Sequence, residues 1–189
     1  MKIRESGMPD ETAWELFFKP DALLKEMEIS RDIQDIAEFG CGYGTFTIPA
    51  SRIVRGKVYA IDIEPGMIER VLKRSGGCSA NNIETVLRDF ISEGSGLPDE
   101  SVDYVMLFNI LHAEDPENLL KETYRILRSG GKAGIIHWNY DPLTPRGPPM
   151  EIRPRPERCM QWAQSMGLEH LKSCDLRPYH YGLVFRKPA

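Results

Sequence analysis

The chain has 189 residues, of which 41% are hydrophobic and 28% charged, and its net charge is −4. That length fills one core without disulfides or metals, and the ordinary composition excludes fibrous and disordered classes. The acidic balance argues against nonspecific nucleic-acid binding, and the lack of any run of 18 apolar residues argues against a membrane span.

The opening MKIRESGMPDE lacks the apolar stretch of a signal peptide, so a cytoplasmic protein is expected. Cys41, Cys78, Cys159 and Cys174 form no CxxC pair and match no zinc spacing, so reduced structural thiols and no metal site are expected. Charge is unevenly spread. Residues 1–139 carry 16 Lys/Arg against 23 Asp/Glu, whereas residues 140–189 carry 8 against 5. Arg146, Arg153, Arg155 and Arg158 cluster in that second part. A solvated basic face is the plain reading, and a grip on an anionic group is the sharper one.

Residues 10–28 read as two short helices, the first capped by Thr12 with Glu15 and the second opened by Pro20. Trp14, Phe17 and Phe18 share one helical face, which suits core packing or, alternatively, a cap over a ligand. Strand and helix signals then alternate. IQDIAEF (33–39) is a buried strand, TFTIPASRIV (45–54) a helix with Pro49 near its first turn, and KVYAIDI (57–63) a second strand. PGMIERVLKR (65–74) reads as a helix and IETVLRDF (83–90) as a third strand. SVDYVMLFNIL (101–111) is nearly all apolar in its middle, as strands covered on both faces are. The helix at 116–128 has Asp115 to cap it, Pro116 at its first position and Gly130 to end it. KAGIIHW (132–138) is a fifth strand.

Six prolines make residues 139–157 a loop, and loops of that length inside compact domains are often functional. ERCMQWAQSMG (157–167) reads as a helix. LEHLKSCDL (168–176) and YHYGLVFRK (179–187) read as a strand pair turning at Pro178. Strand–helix alternation closed by a hairpin predicts a three-layer α/β domain over residues 1–189.

EFGCGYGTF (38–46) joins the first strand to the first helix of that sheet. Glycines there allow positive φ and close backbone approach, and the helix start favours negative charge and hydrogen-bond acceptors. A dinucleotide fingerprint needs glycine or alanine at 40, 42 and 45, but position 45 is Thr45 and the third glycine stands at Gly44. No GK[ST] follows, which excludes a phosphate loop.

With Glu38 two places before Gly40, the pattern ExGxGxG resembles the first motif of class I S-adenosylmethionine (SAM) methyltransferases. YAIDIEPGMIERV resembles the second motif and LRDF the third, and residues 97–138 are similar almost throughout to type-11/type-25 methyltransferase domains. The likeness covers residues 33–138. It implies a Rossmann-like fold with a seven-stranded, mostly parallel sheet and an antiparallel C-terminal hairpin strand. It divides the chain into a helical cap (1–30), a SAM-binding core (33–138), the proline-rich loop (139–157) and a helix with a strand pair (157–189).

The resemblance also implies roles. Asp62 takes the ribose hydroxyls, and its offset of 18 from Gly44 is near the roughly 20 residues usual for such an acid. Ile63 lies against the adenine, Asp89 accepts from its amino group and Phe90 lies beside the ring. Glu38 orients the loop and the methionine amine, Gly40 and Gly42 line the tail, and the Asn109 carbonyl accepts from the amine. The product is S-adenosylhomocysteine (SAH).

Methyl transfer is a displacement that rests on alignment, with a base only where the acceptor carries a proton. His112, His137 and Tyr43 stand at the correct sheet end to act on an acceptor, with Trp138, Tyr140 and Asp141 close by. No NPPY-like tetrapeptide and no PC dipeptide follows the fourth strand, so nucleobase chemistry is not expected. The expected acceptor is a small molecule, anionic if Arg146, Arg153 or Arg155 holds it. Arsenite is a lesser possibility resting on Cys41. Alternatives are an RNA or protein methyltransferase, a non-catalytic SAM-binding regulator and, weakest, a nicotinamide dehydrogenase. The oligomeric state is open.

Overall fold

A computed structural model of the chain describes residues 11, 14, 17–76 and 81–189. Thr12, Glu15 and Cys78 lie outside the described residues. Glu11 and Trp14 are helical, and α1 is Pro20–Glu26, opened by its proline as expected. Then follow β1 (Ile36–Phe39), α2 (Thr47–Ile53), β2 (Val58–Asp62), α3 (Pro65–Gly76) and β3 (Ile83–Leu87). The second half is β4 (Val102–Phe108), α4 (Pro116–Ile126), β5 (Leu127–Trp138), α5 (Pro156–Ser165), β6 (Glu169–Leu176) and β7 (His180–Arg186).

The seven strands form one sheet in the order β3-β2-β1-β4-β5-β7-β6. All pairs from β3 to β5 are parallel, and only β7 runs against its neighbours. Parallel strands need crossover helices, which cover both faces of the sheet. Apolar side chains of β1, β4 and β5 therefore pack both ways. Phe39, Leu107 and Ile135 meet Leu119, Leu120 and Ala163 of α4 and α5. Ile36, Met106 and Ile136 meet Leu24, Phe46 and Ala50 on the other face. The edge strand β6 instead alternates exposed and covered positions.

Local chemistry sets the element ends. Asp115 accepts from the Asn118 amide at 3.1 Å and Pro116 opens α4. Pro49 is the third residue of α2, where no intrahelical bond needs its N–H. One expected end differs. α4 stops at Ile126 because Leu127 is already extended, so Gly130 does not end it. Gly130 (φ 78°) instead serves an irregularity in β5, where pairing jumps from Val102–Leu127 to Tyr104–Lys132.

Gly134 shows why one β5 position must lack a side chain. Tyr104 reaches across it to donate its hydroxyl to the Met27 carbonyl at 2.7 Å, pinning the end of α1 to the sheet. A Cβ at Gly134 would stand 2.1 Å from that hydroxyl oxygen. Gly134→Ala should therefore cost about 1–3 kcal/mol by overpacking, read as a lower urea midpoint at unchanged slope. An unchanged midpoint would refute the fit described.

Order reverses beside β1, which feeds β2 on one side and has β4 on the other. The crevice at the carboxyl ends of such strands is where open α/β sheets bind ligands.

Candidate functional site

A cavity of about 260 Å³ occupies that crevice. One end is built by the glycine loop and the segments after β2 and β3. The other is built by the segments after β4 and β5, by Trp14 and by the proline-rich loop.

Gly40, Gly42 and Gly44 have φ of 71°, 52° and 75°, a region costly for other residues. That path lets the Gly40 and Cys41 amides both donate to the Ile61 carbonyl, at 2.8 and 3.1 Å, tying the loop to β2. The Gly42 amide donates to Asp62 Oδ2 at 2.9 Å and the Glu64 amide to Asp62 Oδ1 at 3.0 Å. Asp62 thus fixes the turns after β1 and β2 and still borders the cavity. Burial raises its pKa, and the two amides oppose that rise.

Glu38 is almost fully buried and receives a short hydrogen bond from the Thr47 hydroxyl at the start of α2. Burial pushes its pKa up to about 8, against the Thr47 bond and with help from the charge of Asp62. Ile63, Asp89 and Phe90 complete this end. Asp89 Oδ1 accepts from the Ile91 and Ser92 amides, each at 3.3 Å, so it caps a turn while bordering the cavity. The Phe90 ring packs on Phe39 at 5.4 Å.

Asn109 holds a left-handed backbone (φ 57°) and donates its amide to the Ile136 carbonyl at 2.7 Å. Its side-chain oxygen and nitrogen are buried without a partner among the described residues, as is the Thr45 hydroxyl, and both residues line the cavity. Unpaired polar groups of this kind cost about 1–3 kcal/mol each, which a polar ligand would offset. Glu38, Asp62, Glu64 and Asp89 all line the same side, so the ligand suited to it is cationic and rich in hydroxyl and amine donors. SAM fits these residues.

The candidate catalytic residues separate. His112 lines the cavity. His137 lies behind it, fully buried, with Nε2 3.3 Å from His112 Nδ1 and Nδ1 unpartnered among the described residues. Burial, and then the charge of Arg153, hold the His112 pKa down at about 4. Burial drives His137 well below the ordinary histidine range. Tyr43 is not part of the lining. Its ring is buried with the Arg70 guanidinium 5.2 Å from its centre.

The arginines also part company. Arg146 lines the cavity. Arg153 is buried, and its guanidinium donates to the carbonyls of Asn139, Asp141, Arg146 and Pro148 and to the Thr144 hydroxyl. It clamps the proline-rich loop, which corrects the expectation that it faces a ligand. Arg155 stacks 3.8 Å from the centre of the Tyr140 ring, and Arg158 5.0 Å from that of Trp162. Arg153→Ala should free the loop. Hydrogen exchange across residues 139–155 should quicken at least tenfold while SAH affinity stays within threefold. Unchanged exchange would contradict the clamp.

Sequence reasoning missed Phe46 and Phe108 as lining residues, whereas Pro148 and Pro149 belong to the proline-rich loop it marks as functional. The ring of Phe46 meets Phe108 at 4.9 Å and Phe18 at 5.2 Å, edge to face. Of the aromatic trio in the N-terminal segment, Trp14 borders the cavity, whereas Phe17 and Phe18 pack on Trp138 at 5.3 and 6.5 Å.

Among the described residues no group of three His, Cys, Asp or Glu could hold a metal, and no helix is long and apolar enough to cross a membrane. Cys41, Cys159 and Cys174 are buried free thiols.

The profile of the type-11 family described as "Methyltransferase domain" matches residues 37–135. A Streptomyces fradiae protein, the "Uncharacterized 37.1 kDa protein in transposon TN4556", is 29% identical over 80% of this chain and 46% of its own length. Aklanonic acid methyltransferase DauC of Streptomyces sp. strain C5 is 34% identical over 61% of this chain and 54% of its own. The chain spans about half the length of these curated relatives. A SAM-dependent methyltransferase from Aquifex aeolicus shares the fold at TM-score 0.83, with 23% identity and 94% of each chain covered. The [4+2]-cyclase SpnF shares it at TM-score 0.77, with 14% identity over 89% of this chain and 81% of its own. That second likeness shows that the fold alone does not dictate the reaction. The profile match covers more than half of the chain, its three motif regions included, and so the chain belongs to the type-11 methyltransferase domain family of class I SAM-dependent methyltransferases.

Proposed function

We propose that residues 1–189 act as one methyltransferase domain that moves a methyl group from SAM to a small anionic acceptor, leaving SAH. The observation that carries this reading is the left-handed run Gly40-Gly42-Gly44, locked to the buried carboxylate of Asp62. SAM supplies an activated methyl group on a cationic sulfur. Asp62 accepts from the ribose hydroxyls, and Ile63 and Phe90 flank the adenine. Asp89 accepts from its amino group. Glu38 and the Asn109 carbonyl hold the amine of the tail, and the Gly40 and Gly42 backbones line it.

A small acceptor is supported by the aromatic side chains of Trp14, Phe46, Phe108 and Trp138 that line the cavity beside the SAM-binding residues. DauC, named for the small molecule aklanonic acid, supports the same class. Anionic character rests on Arg146. A nucleic-acid or protein acceptor is less favoured, because Arg153, Arg155 and Arg158 are spent on carbonyls and rings rather than forming a free basic face. Free buried thiols fit a reducing compartment, and the cytoplasm is the one proposed.

Incubation with methyl-labelled SAM and a cell extract separates the readings. Label should collect in the fraction that passes a small-molecule filter. Label retained on RNA or protein would overturn the acceptor class.

A further inference from the structure

We infer that the acceptor is an aromatic carboxylate, gripped by Arg146 and by the Nε2–H of His112, with His137 as the residue that fixes this tautomer. The inference rests on the methyltransferase reading and names the acceptor within it.

The histidine pair comes first. At 3.3 Å, His112 Nδ1 and His137 Nε2 share one proton, and two arrangements are open. If His112 donated, the proton of His137 would sit on Nδ1, a fully buried N–H that reaches the Trp138 backbone only outside hydrogen-bond geometry. Orphaned buried N–H groups are rare and cost about 1–3 kcal/mol. If His137 donates from Nε2, its Nδ1 holds only a bare lone pair, the lesser penalty. His112 then accepts at Nδ1 and carries its own proton on Nε2, the nitrogen left for the cavity it lines. Burial keeps both rings neutral, so at neutral pH His112 is a hydrogen-bond donor and not a base.

A donor without a base restricts the acceptor. A phenol is protonated at neutral pH and would need its proton removed, whereas a carboxylate arrives as the nucleophile. The charges agree. All lining carboxylates belong to the glycine-loop side, and among the described lining residues Arg146 is the one cation, on the proline-loop side. Trp14, Phe46, Phe108 and Trp138 supply flat apolar walls for a ring. In the reaction a carboxylate oxygen's lone pair forms the new O–CH3 bond and the C–S pair stays with sulfur. No proton moves, and the products are a methyl ester and SAH. The second carboxylate oxygen remains on His112 and Arg146.

Two measurements test this on the whole protein. Long-range 15N–1H NMR should place the His112 proton on Nε2 in the free protein. In calorimetry with SAH bound, 2-naphthoate should bind at least tenfold tighter than 2-naphthamide. Arg146→Ala should erase that preference. His137→Leu should erase it as well, while His137→Gln, which keeps an N–H donor, should retain it. A His112 proton on Nδ1 overturns the inference whether or not the His137 variants fold. So does equal binding of acid and amide, or no naphthoate binding to a protein that takes up SAH. Failure to bind SAH would sink the methyltransferase reading instead.

Discussion

Asp62→Ala should lower SAH affinity about a hundredfold or more, since hydrogen bonds to an ionised acceptor contribute about 1.5–3 kcal/mol each and two ribose hydroxyls are in play. The effect has a second source. Asp62 also accepts from the Gly42 and Glu64 amides, so its removal leaves both loops unanchored. Asp62→Asn should be no kinder. An amide has one acceptor oxygen, so its NH2 would confront one of those backbone N–H groups. Both variants should therefore lose affinity and stability together, read by calorimetry and by urea unfolding. Binding within threefold of the parent would refute the role given to Asp62.

Glu38→Gln should do the opposite to the ligand-free protein. The folded-state pKa of Glu38 is about 8 against an ordinary 4.5, so folding favours the protonated acid. Its stabilising contribution is complete below pH 4.5 and is lost as pH rises through about 8. Gln keeps the acceptor for the Thr47 hydroxyl and never ionises. Ligand-free Glu38→Gln should gain about 1–3 kcal/mol at pH 8, a rise of roughly 3–10 °C in Tm, and nothing at pH 4.5. SAH binding should weaken at least tenfold, because the cationic amine of the tail loses its partner. In the parent protein SAH affinity should climb towards pH 8 as the carboxylate becomes easier to ionise. In the Gln variant that climb should vanish. A ligand-free variant no more stable at pH 8 would show that Glu38 is not held protonated.

Both residues were legible in the sequence because the signal is local. A strand end, a glycine spacing and an acid at a fixed offset lie within one βαβ unit, and the backbone must turn there in one way. Strand parity could have sorted the fifth strand as well. His137 shares a face with Ala133 and Ile135, which pack towards α4 and α5, while Trp138 shares the opposite face with Ile136. Side-chain alternation alone therefore separates His137 from the aromatic wall. The proline-rich loop was not legible in this way. Its path is set by one buried guanidinium bonding to several carbonyls of the loop itself, and no spacing rule distinguishes Arg153 from Arg146. The same holds for Gly130, whose usual place after a helix was overruled by the pairing demands of β5.

The most direct test of the central claim is a crystal structure of the protein grown with SAH. Density should place the ribose hydroxyls on Asp62, the adenine between Ile63 and Phe90, and the sulfur facing the side of the cavity lined by His112 and Arg146. SAH elsewhere on the molecule, or a glycine loop left empty at saturating SAH, would contradict the account.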